Sequence, residues 1–315
     1  KNPDDIEVLG NKIDEYAYKF SFEPWMIRLL IKQYGENLAK KIMSGLNVIP
    51  EVSVRVNGMT ADYDEVFEKL EELGYEIEEG LVCPEAISIK GGKSIETNPL
   101  FMEGKITVQD ESAMVIAPLL ELEEGMTVAD LCSAPGGKTT HIAEILQNTG
   151  KVLAYDIHES KLGLIKENCN RLGVTNVEVK VNDATKLNSE LIAACDRVLI
   201  DVPCSGIGII RKKPEIKWNK SRNDLREIIP IQRDIMENAW EYLKTGGIMI
   251  YSTCTLNQEE NEENIDWFVS RHKDCVVKKI FIGKQDNLMY NKNGSLTILP
   301  NENMDGFFVA KLEKR

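Results

Sequence analysis

Residues 127–156 read TVADLCSAPGGKTTHIAEILQNTGKVLAYD, and this stretch decides the fold. Residues 127–131 are an apolar run of strand length. A Gly- and Pro-bearing turn follows at 132–138, then apolar residues at helical spacing over 138–146 and a second strand over 151–155. The rhythm continues with a helix over 161–172, strands over 177–181 and 197–200, a helix over 231–243 and a strand over 248–251. Alternation of this kind means βαβ units and a doubly wound, mainly parallel α/β sheet, starting near Ile106. Ile235, Ala239, Trp240 and Leu243 form the inner stripe of the last helix, which reads as core.

In such a sheet, ligands and catalysis sit at the carboxyl ends of the strands. After the first strand comes Cys132-Ser133-Ala134-Pro135-Gly136-Gly137-Lys138. Gly136-Gly137-Lys138-Thr139 resembles the tail of a Walker A loop, but Cys132 stands where that motif needs glycine, and no Gly-x-Gly-x-x-Gly is present. What remains is a turn that lets backbone approach a ligand, with helix-start amides to donate to it. Asp156 lies 20 residues after Gly136, at the next strand end, where a carboxylate accepts from both hydroxyls of a ribose. Asp183 ends the third strand, placed to face an adenine edge. Each aspartate alone is an ordinary cap or turn residue. Three such features in register point to an adenosine ligand, and without a phosphate motif S-adenosylmethionine is the expected cofactor.

Two further strand ends carry thiols. Asp201-Val202-Pro203-Cys204-Ser205-Gly206 follows one strand and Ser252-Thr253-Cys254-Thr255 another, so both cysteines are predicted to face one crevice. Carbon 5 of a pyrimidine is a poor nucleophile while the ring is aromatic. A thiolate that adds to carbon 6 makes carbon 5 enamine-like and able to accept a methyl group, after which a base must remove the carbon 5 proton. A free thiol, with a pKa of about 8.5, needs a nearby cation or helix start to ionise, and Lys138 is the candidate. Amino-group methylases place an aromatic residue in the loop after Asp201; a cysteine there points to carbon chemistry instead. Cys83, Cys169, Cys195 and Cys275 read as small buried hydrophobes, and Cys132 as packing within the cofactor loop.

The 315 residues suit two domains, and 43% hydrophobic content supports a sizeable core. No apolar run approaches the roughly 20 residues that span a bilayer, so no membrane partner is expected. Seven cysteines without paired spacing argue against a disulfide framework and for a cytoplasmic location. With no Cys-x-x-Cys pair and three histidines, no metal site is expected. A net charge of −13 disfavours a nucleic-acid partner on its face. Against that background, residues 211–222 read RKKPEIKWNKSR, six bases against one acid, directly after the Cys204 loop. A solvated loop is one reading. The other is a phosphate-contacting surface through Arg211, Lys212, Lys213 and Lys217.

Upstream, residues 1–20 read as a linker. Trp25, Leu29, Leu30 and Tyr34 lie at helical spacing after Pro24, Val52, Val54 and Val56 alternate with Ser53, Arg55 and Asn57 as a half-buried strand, and 62–73 is an amphipathic helix ending at Gly74. With short strands near 75–78 and 86–89, residues 21–103 form a small α+β domain, leaving 104–315 for the larger one.

The motifs together resemble the Nol1/Nop2/Sun family of RNA cytosine-5 methyltransferases, and within it the RsmB (Sun or Fmu) group. The resemblance runs from about Phe20 to Lys311. It takes in Gln109-Asp110-Glu111-Ser112, Cys132 to Lys138, Asp156, Asp183, Asp201 to Gly206, Ile210-Arg211 through Trp218, Gln232, Thr253-Cys254-Thr255 with Glu259-Glu260-Asn261, and Asp305-Gly306-Phe307-Phe308-Val309-Ala310-Lys311-Leu312. Lys161 stands where the family often has arginine. The resemblance implies a Rossmann-like S-adenosylmethionine methyltransferase domain behind a small RNA-recognition-like domain. It implies residues 132–138 with Asp156, Asp183 and Asp201 as the holders of S-adenosylmethionine, Cys254 as nucleophile, Cys204 as the group that assists adduct breakdown, Asp201 and Lys138 as further catalytic residues, and RNA as partner, with small-subunit rRNA the expected substrate and the enzyme a monomer. It further implies that residues 1–20 are the trailing end of a NusB-like domain that this chain lacks. A tRNA substrate, and a catalytically silent ribosome-assembly factor on the same fold, are the alternatives; a nicotinamide oxidoreductase lacks its glycine fingerprint.

Overall fold

The computed structural model describes residues 12–315. Two sheets organise them. The smaller has strands β1 (Val52–Val56), β2 (Glu76–Glu79), β3 (Ala86–Gly91) and β4 (Ile106–Val108), all antiparallel in the order β2-β3-β1-β4. The Tyr63–Glu72 helix, started by Asp62, whose carboxylate accepts from the Asp64 and Glu65 amides, packs Val66 and Leu70 onto this sheet. The domain boundary expected at 103/104 therefore falls inside the sheet, because β4 closes it against β1.

The larger sheet contains β5 (Thr127–Asp130), β6 (Lys151–Asp156), β7 (Val177–Val181), β8 (Cys195–Asp201), β9 (Leu243–Thr253), β10 (Cys275–Lys278), β11 (Leu288–Tyr290), β12 (Leu296–Ile298) and β13 (Phe307–Lys314). Its order is β11-β12-β13-β9-β8-β5-β6-β7, with β10 on β13. Strands β5 to β9 are parallel, as the alternation predicts; β10 to β13 add an antiparallel edge that it does not. The helices Gly137–Ile145 and Leu162–Leu172 cover one face and Arg222–Tyr242 the other, each over its own apolar layer. The chain runs from β5 through β6 to the edge at β7 and then crosses over to β8 on the other side of β5, and this reversal opens a crevice at the carboxyl end of β5. Gly136 makes the turn there: its φ is +107°, and a side chain would meet Ile165 Cα at 3.2 Å. The long helix starts at Arg222 rather than at Ile231, because Ser221 and Asp224 form a capping box and the helix runs through Pro230.

Upstream, two expectations change. Of the predicted linker 1–20, residues 1–11 lie outside the described residues, but Lys12–Phe20 is a helix with Tyr16 and Phe20 buried. It packs with Pro24–Tyr34 and Glu36–Gly45 against Ile207, Ile210, Ile216, Leu225 and Leu256, in the segments that follow the two thiols. These helices thus belong with the cysteine loops and not with the small sheet. Strand β1, expected to be half exposed, buries Arg55 and Asn57 completely. Arg55 donates to Glu144, Thr140 and the Gly137 carbonyl, while Asn57 donates to the Leu172 carbonyl at 2.9 Å, so the polar face is covered by the larger domain. Among the described residues no helix is long and apolar enough to cross a membrane.

Candidate active site

A cavity of about 240 Å³ opens at the carboxyl ends of β5 to β8. Asp156, Asp183 and Asp201 all line it, with Cys132 and Ala134 from the loop after β5 and apolar walls from Ile157, Ala184, Pro203, Ile231 and Ile235. Asp156 accepts the His158 amide on one oxygen and the Ala134 amide on the other, at 2.9 and 3.2 Å, which fixes the carboxylate and leaves lone pairs for a diol. Asp183 accepts both the amide and the hydroxyl of Thr185; those bonds, with Lys186 alongside, hold its carboxyl below the usual range. Asn182 Nδ2, on the same wall, is buried without a partner. Beneath the loop, Asp130 accepts the Thr139 hydroxyl on one oxygen while the other has no partner, and burial pushes its pKa up to about 7.

Three carboxylates, apolar walls and a spare amide donor suit a cationic adenosine compound, and the acidic lining disfavours a nucleoside triphosphate. The residues present therefore fit S-adenosylmethionine. Of the predicted loop, only Cys132 and Ala134 face the cavity. Ser133 donates to the Tyr155 carbonyl, the Pro135 carbonyl accepts from Asn168, and Gly136 and Gly137 form the turn and helix start, so these four hold the loop in shape. Lys138 turns toward the thiols.

Beside this cavity the two cysteine loops meet. Cys204 Sγ lies 3.3 Å from Cys254 Sγ, as the strand-end reading requires. Asp201, at the end of β8, accepts Lys138 Nζ at 2.7 Å on one oxygen and the Ser252 hydroxyl at 2.8 Å on the other. Burial works against the Lys138 charge, yet Asp201, Asp130 and Cys254 together outweigh it and hold the ammonium above its usual pKa. The Cys254 contact, then burial, then the Glu260 and Asp201 charges push the Cys204 thiol well above the usual range. The two sulfurs stand within hydrogen-bond distance, and either can donate to the other. Asp130 and Asn182 were given no role by sequence reasoning, and Ser205, Thr255 and Glu260 were quoted only as parts of motifs, with no role of their own.

The basic segment is largely corrected. Arg211 is buried between Asp305, 2.6 Å from its Nε, and the Asn301 carbonyl. Lys212 reaches Asp110 and Asp305, both at 2.6 Å. Lys217 is buried, donating to Asn47 at 2.5 Å with its ammonium over the Phe22 ring. Charges committed to internal acids and carbonyls are not available to phosphates. Of the four predicted contacts only Lys213 is both exposed and without such a partner, on a segment that also presents Trp218, 59% exposed. Among the described residues no cluster of metal-ligating side chains occurs.

Comparison with known proteins agrees with this geometry. Residues 117–313 match the family model of the 16S rRNA methyltransferase RsmB/F, and residues 22–96 match the ferredoxin-like domain of RsmF/B-like methyltransferases. The probable ribosomal RNA small subunit methyltransferase B of Bacillus subtilis is 34% identical, over 98% of this chain and 70% of that protein. The ribosomal RNA small subunit methyltransferase B of Pectobacterium atrosepticum is 35% identical, over 92% of this chain and 66% of that protein. A methyltransferase homologue from Pyrococcus horikoshii superposes with a TM-score of 0.85 at 26% identity, over 98% of this chain and all of that one. The chain thus spans about 70% of the length of the first of these relatives.

Proposed function

The chain belongs to the RsmB/F family of 16S rRNA methyltransferases and is an S-adenosylmethionine-dependent RNA methyltransferase; from that premise we propose that it methylates carbon 5 of a cytosine in small-subunit ribosomal RNA through a covalent cysteine adduct. The observation that carries the reading is the 3.3 Å thiol pair beside the Lys138–Asp201 ion pair. An amino-group methylase has no use for two sulfurs in contact, whereas carbon 5 chemistry needs one to add and one to assist departure.

Asp156 and Asp183 hold the cofactor's adenosine, and Asp201 stands where the two sites meet. When bound, S-adenosylmethionine supplies an electrophilic methyl group on a sulfonium centre. Cys254 is the nucleophile, as the family resemblance implies, with Cys204 against its sulfur. Lys138 places a positive charge where the Cys254 thiolate forms, and its bond to Asp201 orients that charge. Addition of Cys254 to carbon 6 breaks the ring's aromaticity and turns carbon 5 into a carbon nucleophile. Once carbon 5 is substituted, a base must take its proton while the carbon 6–sulfur bond breaks and Cys254 leaves as a thiolate; Cys204 stands against that sulfur and, ionised, is the base that takes the proton. The target base must be unstacked to reach the crevice, at a cost of a few kcal/mol, so loop cytosines are the favoured substrates.

Incubation with methyl-labelled S-adenosylmethionine and separate pools of 16S rRNA and tRNA tests the assignment. Label recovered as 5-methylcytosine from rRNA is the expected result. Label confined to tRNA would move the substrate, and label on an exocyclic amine would overturn the chemistry.

A further inference from the structure

A single buried carboxylate spans the two loops that carry the thiols. Glu260 has no exposed surface. Its Oε1 accepts the Ser205 hydroxyl at 2.5 Å and Asn257 Nδ2 at 3.1 Å, and its Oε2 accepts the Ser205 amide and Gln232 Nε2, both at 2.9 Å. Ionised, the carboxylate satisfies all four donors together, and their hydrogen bonds work against the burial that raises its pKa. Ser205 has one hydroxyl proton, and Glu260 takes it. With Glu260 ionised, the 2.7 Å contact between the Ser205 and Thr255 hydroxyls runs from Thr255 to Ser205. A directed chain, Thr255 to Ser205 to Glu260, thus joins the residue after Cys254 to the residue after Cys204.

The chain continues outward. Asn257 Oδ1 accepts Gln33 Nε2 at 2.8 Å, and Gln33 Oε1 accepts the Gln258 amide at 3.1 Å. Gln33 lies on the Pro24–Tyr34 helix, whose Tyr34 hydroxyl also donates to the Leu256 carbonyl at 2.6 Å. All four partners of the Glu260 carboxylate are neutral. A buried charge held this way gains little over apolar packing, so what it contributes is geometry.

We propose that Glu260 is a positioning residue that sets the Cys204–Cys254 spacing by clamping the loop after β8 to the loop after β9, and that Asn257 and Gln33 tie this spacing to the seating of the N-terminal helices. Its consequence for turnover rests on the covalent chemistry proposed above. Without the clamp each loop follows its own strand, and Cys204 no longer stands against the sulfur it assists.

Phenylarsine oxide tests the spacing without any methyl transfer: it exchanges its oxygen for two thiols of one close pair, releasing water. Capture by the intact chain, lost in Cys204→Ala and in Cys254→Ala, is the baseline. Glu260→Gln keeps the size but turns an amide donor toward the Ser205 donors, and it is expected to slow capture by about tenfold to a hundredfold, since a shift of about 1 Å in a reacting pair costs that much. In turnover kcat should fall by a similar factor while KM for S-adenosylmethionine stays within about twofold, a split that general loosening of the fold would not produce. Ser205→Ala, which deletes the hydroxyl link alone, should slow capture in the same direction and decides the matter if Glu260→Gln does not fold. Capture at the unaltered rate in the variants that fold would overturn the proposal. A parent chain that captures the arsenical but forms no 5-methylcytosine would instead overturn the covalent reading, leaving the clamp to stand on capture alone.

Discussion

Arg55, on the central strand of the small sheet, places its guanidinium 2.7 Å from the carboxylate of Glu144, in the helix that follows the cofactor loop. Neither side chain is appreciably exposed, and the same guanidinium donates to the Gly137 carbonyl at the start of that helix. The small domain is therefore keyed to the loop that shapes the cofactor cavity. Removing one partner of a buried pair leaves the other charge uncompensated. Arg55→Ala should cost about 3–5 kcal/mol of unfolding free energy, and Arg55→Lys should recover only part of it, because an ammonium cannot serve the whole fork of acceptors. Denaturant titration checks this; a loss below about 1 kcal/mol, the level of a surface pair, would mean the domains are not coupled through Arg55.

Asp130 gives a pH signature. Burial raises its folded pKa to about 7, above the ordinary carboxylate value, so between about pH 4 and 7 the folded chain holds a proton that the unfolded chain has lost. Its contribution to stability is fully present below the unfolded pKa and is lost as pH rises through the folded one. Asp130→Asn keeps the acceptor for Thr139 and does not titrate. Relative to the parent, its stability should rise from pH 4 to pH 7; a flat difference would show that Asp130 ionises normally.

Asp156→Ala should weaken S-adenosylmethionine binding while the fold persists. Hydrogen bonds to a charged acceptor are worth about 1.5–3 kcal/mol, or roughly tenfold to a hundredfold in affinity. Calorimetry with unchanged affinity would remove Asp156 from the ribose.

The basic segment separates into two behaviours. Lys213→Ala should lower the salt dependence of RNA binding by about one unit of slope without affecting folding. Trp218→Ala should weaken binding by about 1–3 kcal/mol if an unstacked base rests on the indole. Arg211→Ala should leave the salt slope alone and lower the melting temperature, since Arg211 serves Asp305. A slope change in Arg211→Ala with normal stability would restore the original reading.

The contrast shows what the chain makes legible. Strands β6, β8 and β9 were readable because strands covered on both faces carry continuous apolar runs, the edge strand β7 by its alternation, and the cysteines because strand ends in a parallel sheet converge. The alternation of β1 showed that Arg55 and Asn57 share a face but not that Glu144 and the Leu172 carbonyl cover it. The charge of Arg211 was visible, while its partner Asp305 lies 94 positions away in sequence. For the same reason the antiparallel edge stayed hidden: β13 pairs with β9 across a long separation that local periodicity does not encode. Glu260 was visible as part of the motif that follows Cys254, but its role was not. Asn257 is a sequence neighbour, but only folding brings Ser205 and Gln232 to Glu260.

The division of labour between the two thiols is tested most directly by trapping. Cys204→Ala and Cys254→Ala are each incubated with S-adenosylmethionine and rRNA, denatured, and resolved for protein that stays attached to RNA. With Cys254 adding to carbon 6 and Cys204 assisting release, Cys204→Ala should attack, methylate and stall, accumulating a denaturant-resistant adduct that disappears when Cys254 is also replaced. Cys254→Ala should form neither adduct nor product. An adduct in Cys254→Ala and none in Cys204→Ala would reverse the roles, and methylation retained by both variants without any adduct would contradict covalent catalysis altogether.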